Sequence, residues 1–417
     1  MAGDKGKLVY MVYRAVSYGL SPLLYLHLQW RRLRGLEHPL RWRERFGRPS
    51  LPRPPGPLLW FHAVSLGEGM AAIPVIKHCI QQRPDLTILM TTTTTSAFKV
   101  IKDELPVGVI YQFAPIDTPA AMDAFLGYWN PNAIFLIESE LWPNLILGAS
   151  RKGITLALLN ARMSSKSFKC WSGPVALPLI SLMLSKFSLI APLSTLEAIH
   201  FQLLQAPPFC IDFAGDLKYA VGDVCFSKKE IRSVEDLQLQ LVNRPVWMAA
   251  SIHKGEEEGC HLEVQKEGLN VSLRSRDERI CQRTNIYVVD TLGELRSLYK
   301  LTPIAVIGGS FLPGLAGHNI SEAAAAGCAV LTGHYVGHFS HMVVKMQQSN
   351  PLSVLKVSGE GELIEALSEL FDDAEVLGAH RMAAKQAFLS LSSRVLTNIW
   401  NLINSYVLEK TFCPEIR

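Results

Sequence analysis

The residues best placed for chemistry are carboxylates that stand where apolar runs stop. Ile134-Phe-Leu-Ile-Glu-Ser-Glu-Leu-Trp-Pro-Asn144 is such a run, with Glu138 and Glu140 at its end. The run reads as a buried strand, and an open parallel sheet binds ligands at the carboxyl ends of its strands. A carboxylate there can take a proton from an attacking hydroxyl or steady a developing cation. Burying it unpaired is costly, so capping the next helix and pairing with an Arg is the structural alternative. Pro57-Leu-Leu-Trp-Phe-His-Ala-Val-Ser-Leu-Gly-Glu-Gly69 repeats the design and offers Ser65 and Glu68. Gly67 and Gly69 should make that turn tight and open to a ligand, while the plain reading of Glu68 is a carboxylate at a helix N-terminus.

Cations belong to the same edge. A third apolar run, residues 154–159, ends in Asn160-Ala-Arg162, and Lys218 closes Gly215-Asp-Leu-Lys218. On sequence alone a solvated surface lysine is the simpler reading of Lys218. Downstream come Thr291-Leu292-Gly293-Glu294, Ile307-Gly-Gly309-Ser310 and Gly317-His-Asn319-Ile320-Ser321-Glu322. Each follows an apolar run, and the last leads into an alanine-rich helix whose N-terminus suits an anion.

The elements that must carry these residues alternate along the chain. Residues 58–63, 86–90, 109–113, 133–137, 154–159 and 189–192 read as strands separated by helical segments, which is the rhythm of a doubly wound α/β sheet. A second set begins near residue 244, with strands at 246–250, 286–289, 304–307 and 329–332. Helix fills most of the tail from 361 to 406.

In this order, Ser-Leu-Gly-Glu, Glu-Ser-Glu-Leu-Trp-Pro-Asn, Asn-Ala-Arg-Met-Ser, Gly-Asp-Leu-Lys and Gly-His-Asn-Ile-Ser-Glu closely resemble the motifs of the 3-deoxy-D-manno-octulosonic acid (Kdo) transferases. The second of these motifs is highly specific, and the resemblance runs from the N-terminal region to near residue 400. It implies two facing Rossmann-like domains of the GT-B glycosyltransferase type. It also implies transfer of Kdo from CMP-Kdo to a lipid A precursor with inversion. Glu68 would be the general base, Glu138 the stabiliser of an oxocarbenium-like transition state, and Lys218 the counter-charge for the leaving phosphate. Ser65, Glu140, Asn160 and Arg162 would serve substrate binding, with Glu140 orienting Arg162 or a backbone amide. Leu292, Gly293, Glu294, Gly309, Ser310, Asn319, Ile320, Ser321 and Glu322 would hold the nucleotide. Neither a metal nor a cofactor is expected; CMP-Kdo is a donor substrate.

The totals agree with a globular two-domain enzyme: 417 residues, 48% hydrophobic and 19% charged. A net charge of +4 is too small at this length to argue for nucleic acid. The eight scattered cysteines form no C-x-x-C pair and read as reduced. Domain boundaries fall at 1–50, 51–225, a linker at 226–243, and 244–417.

The first fifty residues are rich in Arg, including Arg31, Arg32, Arg34, Arg41, Arg43, Arg45 and Arg48, and poor in acids. Residues 8–30 are apolar and aromatic but are broken by Arg14, Gly19 and Pro22. That pattern suits a segment lying in one leaflet with its Arg residues on anionic head groups. A full span comes second, and a helix packed on the domain is the plain alternative. The expected location is a membrane surface: a mitochondrion for a plant-type relative, the cytoplasmic face of the inner membrane for a bacterial one.

One departure from the family pattern stands out. After Ser251-Ile-His-Lys-Gly-Glu-Glu-Glu258 the family continues through a helix and a strand to Pro-Arg-His-Pro, and that tetrapeptide occurs nowhere here. A helix and strand near 258–268 are therefore expected to be missing, leaving the nucleotide domain short of an inner strand. This opens a second reading, in which the chain is a catalytically impaired relative that binds a membrane or partner.

Overall fold

The computed structural model describes residues 2–219, 228–241, 244–252, 269–276, 278–291, 294–315 and 317–412. The chain forms two compact units, residues 1–220 with 395–417, and residues 221–394. Residues 395–417, assigned to the second domain from sequence, thus belong with the first.

The first unit alternates strand and helix as expected: β1 (Leu58–His62), α3 (Leu66–Gln82), β2 (Thr87–Thr92), α4 (Thr95–Glu104), β3 (Ile110–Phe113), α5 (Pro119–Trp129), β4 (Ala133–Ile137), α6 (Pro143–Arg151), β5 (Thr155–Ala161), α7 (Ser165–Trp171), α8 (Leu177–Leu184), β6 (Phe187–Pro192) and α9 (Thr195–Leu203). The six strands are parallel in the order β3-β2-β1-β4-β5-β6. This is the doubly wound order whose switch point lies between the first and fourth strands. Both β1 and β4 are buried along their whole length, because helices cover both faces of a parallel sheet. Trp60 of β1 is fully buried and packs on Phe125 of α5 with centroids 4.4 Å apart. The segment with Glu68 follows β1 and the segment with Glu138 follows β4, so the sheet delivers both carboxylates to the switch point.

Two helices precede the sheet, α1 (Ala2–Gly19) and α2 (Ser21–Leu33). Pro22 does not break a span; it sits in the first turn of α2, where its missing N–H costs nothing. One face of α1 is docked. Tyr13 donates to Asp117 Oδ2 at 2.9 Å, and a Cβ on Gly6 would lie 2.4 Å from the Pro178 carbonyl. The other face leaves Leu8, Met11, Val12 and Val16 exposed, and α2 leaves Leu23, Leu26 and Leu33 exposed. Among the described residues no helix is long and apolar enough to cross a membrane.

Part of the Arg cluster has a structural role instead of the head-group role expected. Arg31 pairs with the buried Glu37 at 2.7 Å, and Arg41 with the fully buried Glu44 at 2.8 Å. Arg45 donates to the Ala114 carbonyl. Glu44 also accepts the Phe113 N–H at 2.8 Å, ending the free edge of β3. Glu44→Ala would leave that N–H without its acceptor, at an expected cost of about 1–3 kcal/mol. A shifted urea midpoint at unchanged slope would register it; an unshifted midpoint would deny the clamp.

The second unit contains α10 (Lys228–Gln240), β7 (Trp247–Ala250), β8 (Asn270–Leu273), β9 (Thr284–Val288), α11 (Leu295–Leu298), β10 (Ile304–Ile307), α12 (Ser321–Ala326), β11 (Ala329–Thr332), α13 (Ser340–Ser349), β12 (Leu355–Lys356), α14 (Glu360–Asp372) and α15 (Ala374–Ile403). Its sheet has the order β12-β11-β10-β7, and β8-β9 form a separate parallel pair. By chain order β7 to β12 parallel β1 to β6. A strand does occupy 270–273, but among the described residues it pairs with β9 and not with β7. Trp247 of β7 is 42% exposed, against 0% for Trp60 of β1. The segment 258–268, where the shortening was expected, lies outside the described residues.

The end of α15 and the residues after it pack on the first unit. Trp400 stands edge-on to His78 at 5.6 Å, and Thr411 shares a 2.8 Å hydrogen bond with Thr155.

Candidate active site

The Glu68 segment is a helix start, not a glycine-permitted turn. Ser65 is the N-cap of α3 and accepts the Glu68 N–H at 3.3 Å. Glu68 reaches back, its Oε2 accepting the Val64 N–H and its Oε1 the Ser65 hydroxyl, each at 2.8 Å. This is a capping box, which fixes a carboxylate in the helix first turn. Neither neighbouring glycine has positive φ. Gly69 is needed for packing, since a Cβ would lie 2.2 Å from Ile101 Cδ1 of α4. Gly67 faces open space, and Glu68 beside it is half-buried.

At the end of β4 the ladder to β5 continues past the strand. The Glu138 N–H donates to the Leu159 carbonyl at 2.9 Å, and the Glu138 carbonyl accepts the Arg162 N–H at 3.4 Å. Glu138 and Asn160 both adopt left-handed backbone, with φ of 61° and 53°. Such conformations are uncommon for residues with a Cβ and concentrate at functional sites. The buried Glu138 carboxylate sits 3.0 Å from Lys218 Nζ and 3.6 Å from Arg162 Nη1. Asn160 brings Lys218 there: its Oδ1 accepts the Leu217 N–H at 3.0 Å, while Val395 fills the space beside Gly215.

This corrects the expectation for Glu140. Arg162 pairs with Glu138, not with Glu140, because the β4–β5 register sets those two ends side by side. Glu140 instead stands half-buried, within reach of the charges of Glu68 and Glu138. Burial first, then the charge of Glu68, pushes its carboxyl up to about 8. Trp142 is fixed by an edge-on contact with His62, centroids 4.7 Å apart. Full burial pushes His62 down to about 3, so it is neutral.

Not all of the Glu-Ser-Glu-Leu-Trp-Pro-Asn motif is chemistry. Asn144 anchors the start of α6, donating through Nδ2 to the Asp117 carbonyl at 2.7 Å and to Ser17 of α1 at 3.1 Å. Asp117, which sequence reading missed, accepts the N–H groups of Asn144 and Leu145 and caps α6. No local signal marks it, since its partners lie far along the chain.

The residues expected to hold the nucleotide all fall in the second unit. Leu292 and Gly293 lie outside the described residues. Glu294 pairs with Arg274 at 2.8 Å, and Glu322 lies 4.0 Å from Arg296. Gly309 has φ of 66°, and its carbonyl accepts the Gly317 N–H at 2.8 Å. Ser310 is fully buried, its hydroxyl donating to Ile307 and accepting from Gly333, so it braces the ends of β10 and β11. Asn319 Oδ1 accepts the N–H and hydroxyl of Ser321 at 3.1 and 2.8 Å. Ile320 and Ser321 are fully buried. Gly317 permits close approach, since a Cβ there would lie 2.8 Å from Val336 Cα.

Comparison with known proteins places this arrangement. The profile of a family described as 3-Deoxy-D-manno-octulosonic-acid transferase (kdotransferase) matches residues 40–221. The chain is 60% identical to the "Probable 3-deoxy-D-manno-octulosonic acid transferase, mitochondrial" of Arabidopsis thaliana, covering 96% of this chain and 97% of that one. That alignment spans 432 positions, more than this chain can fill, so the relative carries residues that have no counterpart here. Identity to the 3-deoxy-D-manno-octulosonic acid transferase of Haemophilus influenzae is 29%, over 78% of this chain and 81% of that one. Among solved structures, a UDP-GlcNAc 2-epimerase from Neisseria meningitidis matches with a TM-score of 0.56 at 12% identity, covering 84% of this chain and all of the other; it shares the fold. The identity to the plant protein, sustained across nearly both chains, settles the relationship: this chain belongs to the 3-deoxy-D-manno-octulosonic acid transferase family.

Proposed function

We propose that the chain is an inverting glycosyltransferase that moves Kdo from CMP-Kdo to a lipid A precursor, with Glu68 as general base. The observation that carries this reading is the pairing of Glu68 after β1 with the Glu138–Lys218–Arg162 cluster after β4, at the switch point of the sheet. Glu68 takes the proton of the acceptor hydroxyl as its oxygen bonds to the anomeric carbon. The bond from that carbon to the phosphate oxygen breaks, and CMP leaves with the electron pair. A single displacement needs one base and no covalent intermediate. Glu138 steadies the cationic sugar, and Lys218 and Arg162 supply positive charge without a metal. The second unit takes the nucleotide through Glu294, Gly309, Ser310 and the segment 317–322. The reading of an inactive relative is not favoured by an identity of 60% across nearly the whole chain.

The acceptor is a lipid, and the exposed apolar faces of α1 and α2 suit a membrane surface, here that of a mitochondrion. Leu23→Asp with Leu26→Asp should cut binding to anionic phospholipid vesicles at least about tenfold. Unchanged binding would remove α2 from the membrane face. The donor is tested by supplying CMP-Kdo or UDP-GlcNAc with a lipid A precursor in detergent micelles. Product is expected from CMP-Kdo alone, and product from UDP-GlcNAc alone would overturn the reading.

A further inference from the structure

The Arg-rich start divides into two sets. Arg14, Arg31 and Arg41 pair with Asp123, Glu37 and Glu44 at 3.2, 2.7 and 2.8 Å, and Arg45 donates to the Ala114 carbonyl. Arg32, Arg34, Arg43 and Arg48 are exposed, and among the described residues none of their guanidinium groups meets an acid or a carbonyl. Glu37 and Glu44, the acids of residues 20–50, are buried and already paired. The exposed charge of that stretch is therefore all positive. Aromatic rings hold three of the second set instead. Arg34 lies over Trp30, 4.2 Å from the ring centre, and Arg32 and Arg43 approach the one ring of Trp42 at 5.1 and 5.9 Å. Trp42 is buried and fixed edge-on by Tyr25 and Phe46, centroids 6.0 and 5.8 Å away.

A guanidinium on an indole face keeps its charge and leaves N–H donors at its edge, and its planar fork matches a phosphate. Two like charges gathered on one fixed ring repel each other, and an anion binding to both would relieve that. An apolar stripe adjoins them. Leu23, Leu26, Trp30 and Leu33 recur at helical spacing on α2 and are 62%, 62%, 45% and 87% exposed. Trp30 belongs both to that stripe and to the stack with Arg34. A soluble polyanion would leave the stripe in water, whereas an anionic phospholipid layer meets the cations and the leucines together. We propose that Arg32, Arg34 and Arg43 form a site for the phosphates of anionic phospholipid head groups, with the α2 stripe set into the acyl layer beside it. This rests on the membrane-surface reading above and adds to it the groups that select an anionic lipid. Arg31 and Arg41, close by in sequence, stay with their glutamates and take no part.

The test titrates the full chain with vesicles of phosphatidylcholine alone, and of phosphatidylcholine and phosphatidylglycerol in equal parts. The parent should bind the neutral vesicles at least about tenfold more weakly than the mixed ones. Arg32→Gln, Arg34→Gln and Arg43→Gln together should lower affinity for mixed vesicles by about fivefold per charge, or about a hundredfold in all. The more telling variant carries Arg32→Lys, Arg34→Lys and Arg43→Lys. It keeps every charge but loses the planar fork and much of the stacking, so its affinity should fall about tenfold. Both variants change only exposed side chains, so the fold is kept. Parent-like binding by the Lys variant would reduce the cluster to unspecific charge and overturn the site. Equal binding of the parent to both kinds of vesicle would overturn it too.

Two further arms identify the source of the phosphate. Inorganic phosphate, added at matched ionic strength, should leave binding to mixed vesicles unchanged; displacement by it would show a site for a soluble anion instead. Kdo transfer in uncharged detergent micelles should be equal for the parent and the Lys variant, because no phospholipid is present there. A loss in those micelles would assign the three arginines to the acceptor and overturn the proposal. Failure of the parent to bind either kind of vesicle would overturn the membrane surface and this site with it. Absence of transfer by the folded parent would instead overturn the reaction and leave the vesicle comparison to decide the site.

Discussion

Glu68→Gln is expected to lower the rate of Kdo transfer by about 10²–10⁴-fold, the usual contribution of a general base. Donor KM should change little, because the base acts on the acceptor proton and not on the nucleotide. Gln is the informative replacement. Its carboxamide oxygen can still accept the Val64 N–H that Glu68 accepts at 2.8 Å, and Gln serves at this position of a capping box. The start of α3 should then survive, with thermal stability altered by less than about 1 kcal/mol. A large loss of rate with a small loss of stability assigns Glu68 to the chemistry. A large loss of both would return it to the role of a helix cap.

Lys218→Met is the second large effect, and it acts on stability first. Lys218 Nζ lies 3.0 Å from a Glu138 whose side chain is only 10% exposed. Removing one member of a buried pair leaves its partner's charge uncompensated and costs about 3–5 kcal/mol. Arg162, at 3.6 Å, remains to share the charge and sets the expectation at the lower end, about 3 kcal/mol. Adding Glu138→Gln should recover much of the loss, because the stranded charge goes with it. Urea denaturation of the two single variants and the double variant measures the coupling. Additive losses would mean that the two side chains do not stabilise each other.

The sequence made β1 and β4 legible because a strand buried on both faces must be a run of apolar residues, and each run stops at a polar group. Glu68 and Glu138 were therefore found at the right ends. What lay beyond local pattern was which partner each would take. The left-handed backbone at Glu138 and the register of β4 on β5 hand Arg162 to Glu138, and neither is written in a run of residue types. Asn144 read as part of a chemical motif, yet its partners Ser17 and Asp117 make it a joint between α1 and α6. The Arg-rich start read as a head-group surface, but Arg31 and Arg41 each meet a buried glutamate that periodicity could not pair with them. The return of residues 395–417 to the first unit was invisible because an amphipathic helix does not name the face it will cover. The expected shortening of the second unit rests on a missing tetrapeptide, and the segment concerned lies outside the described residues. Among the described residues β7 has β10 as its neighbour in the sheet, and Trp247 is half open.

The most direct test of the account is a mass measurement on the acceptor. The full chain and Glu68→Gln, both verified as folded, are given CMP-Kdo and a lipid A precursor in detergent micelles. The account predicts an acceptor heavier by one or more Kdo units and stoichiometric CMP release with the parent, and almost none with the variant. An acceptor that stays unmodified by the folded parent, or one modified equally by both proteins, would contradict it.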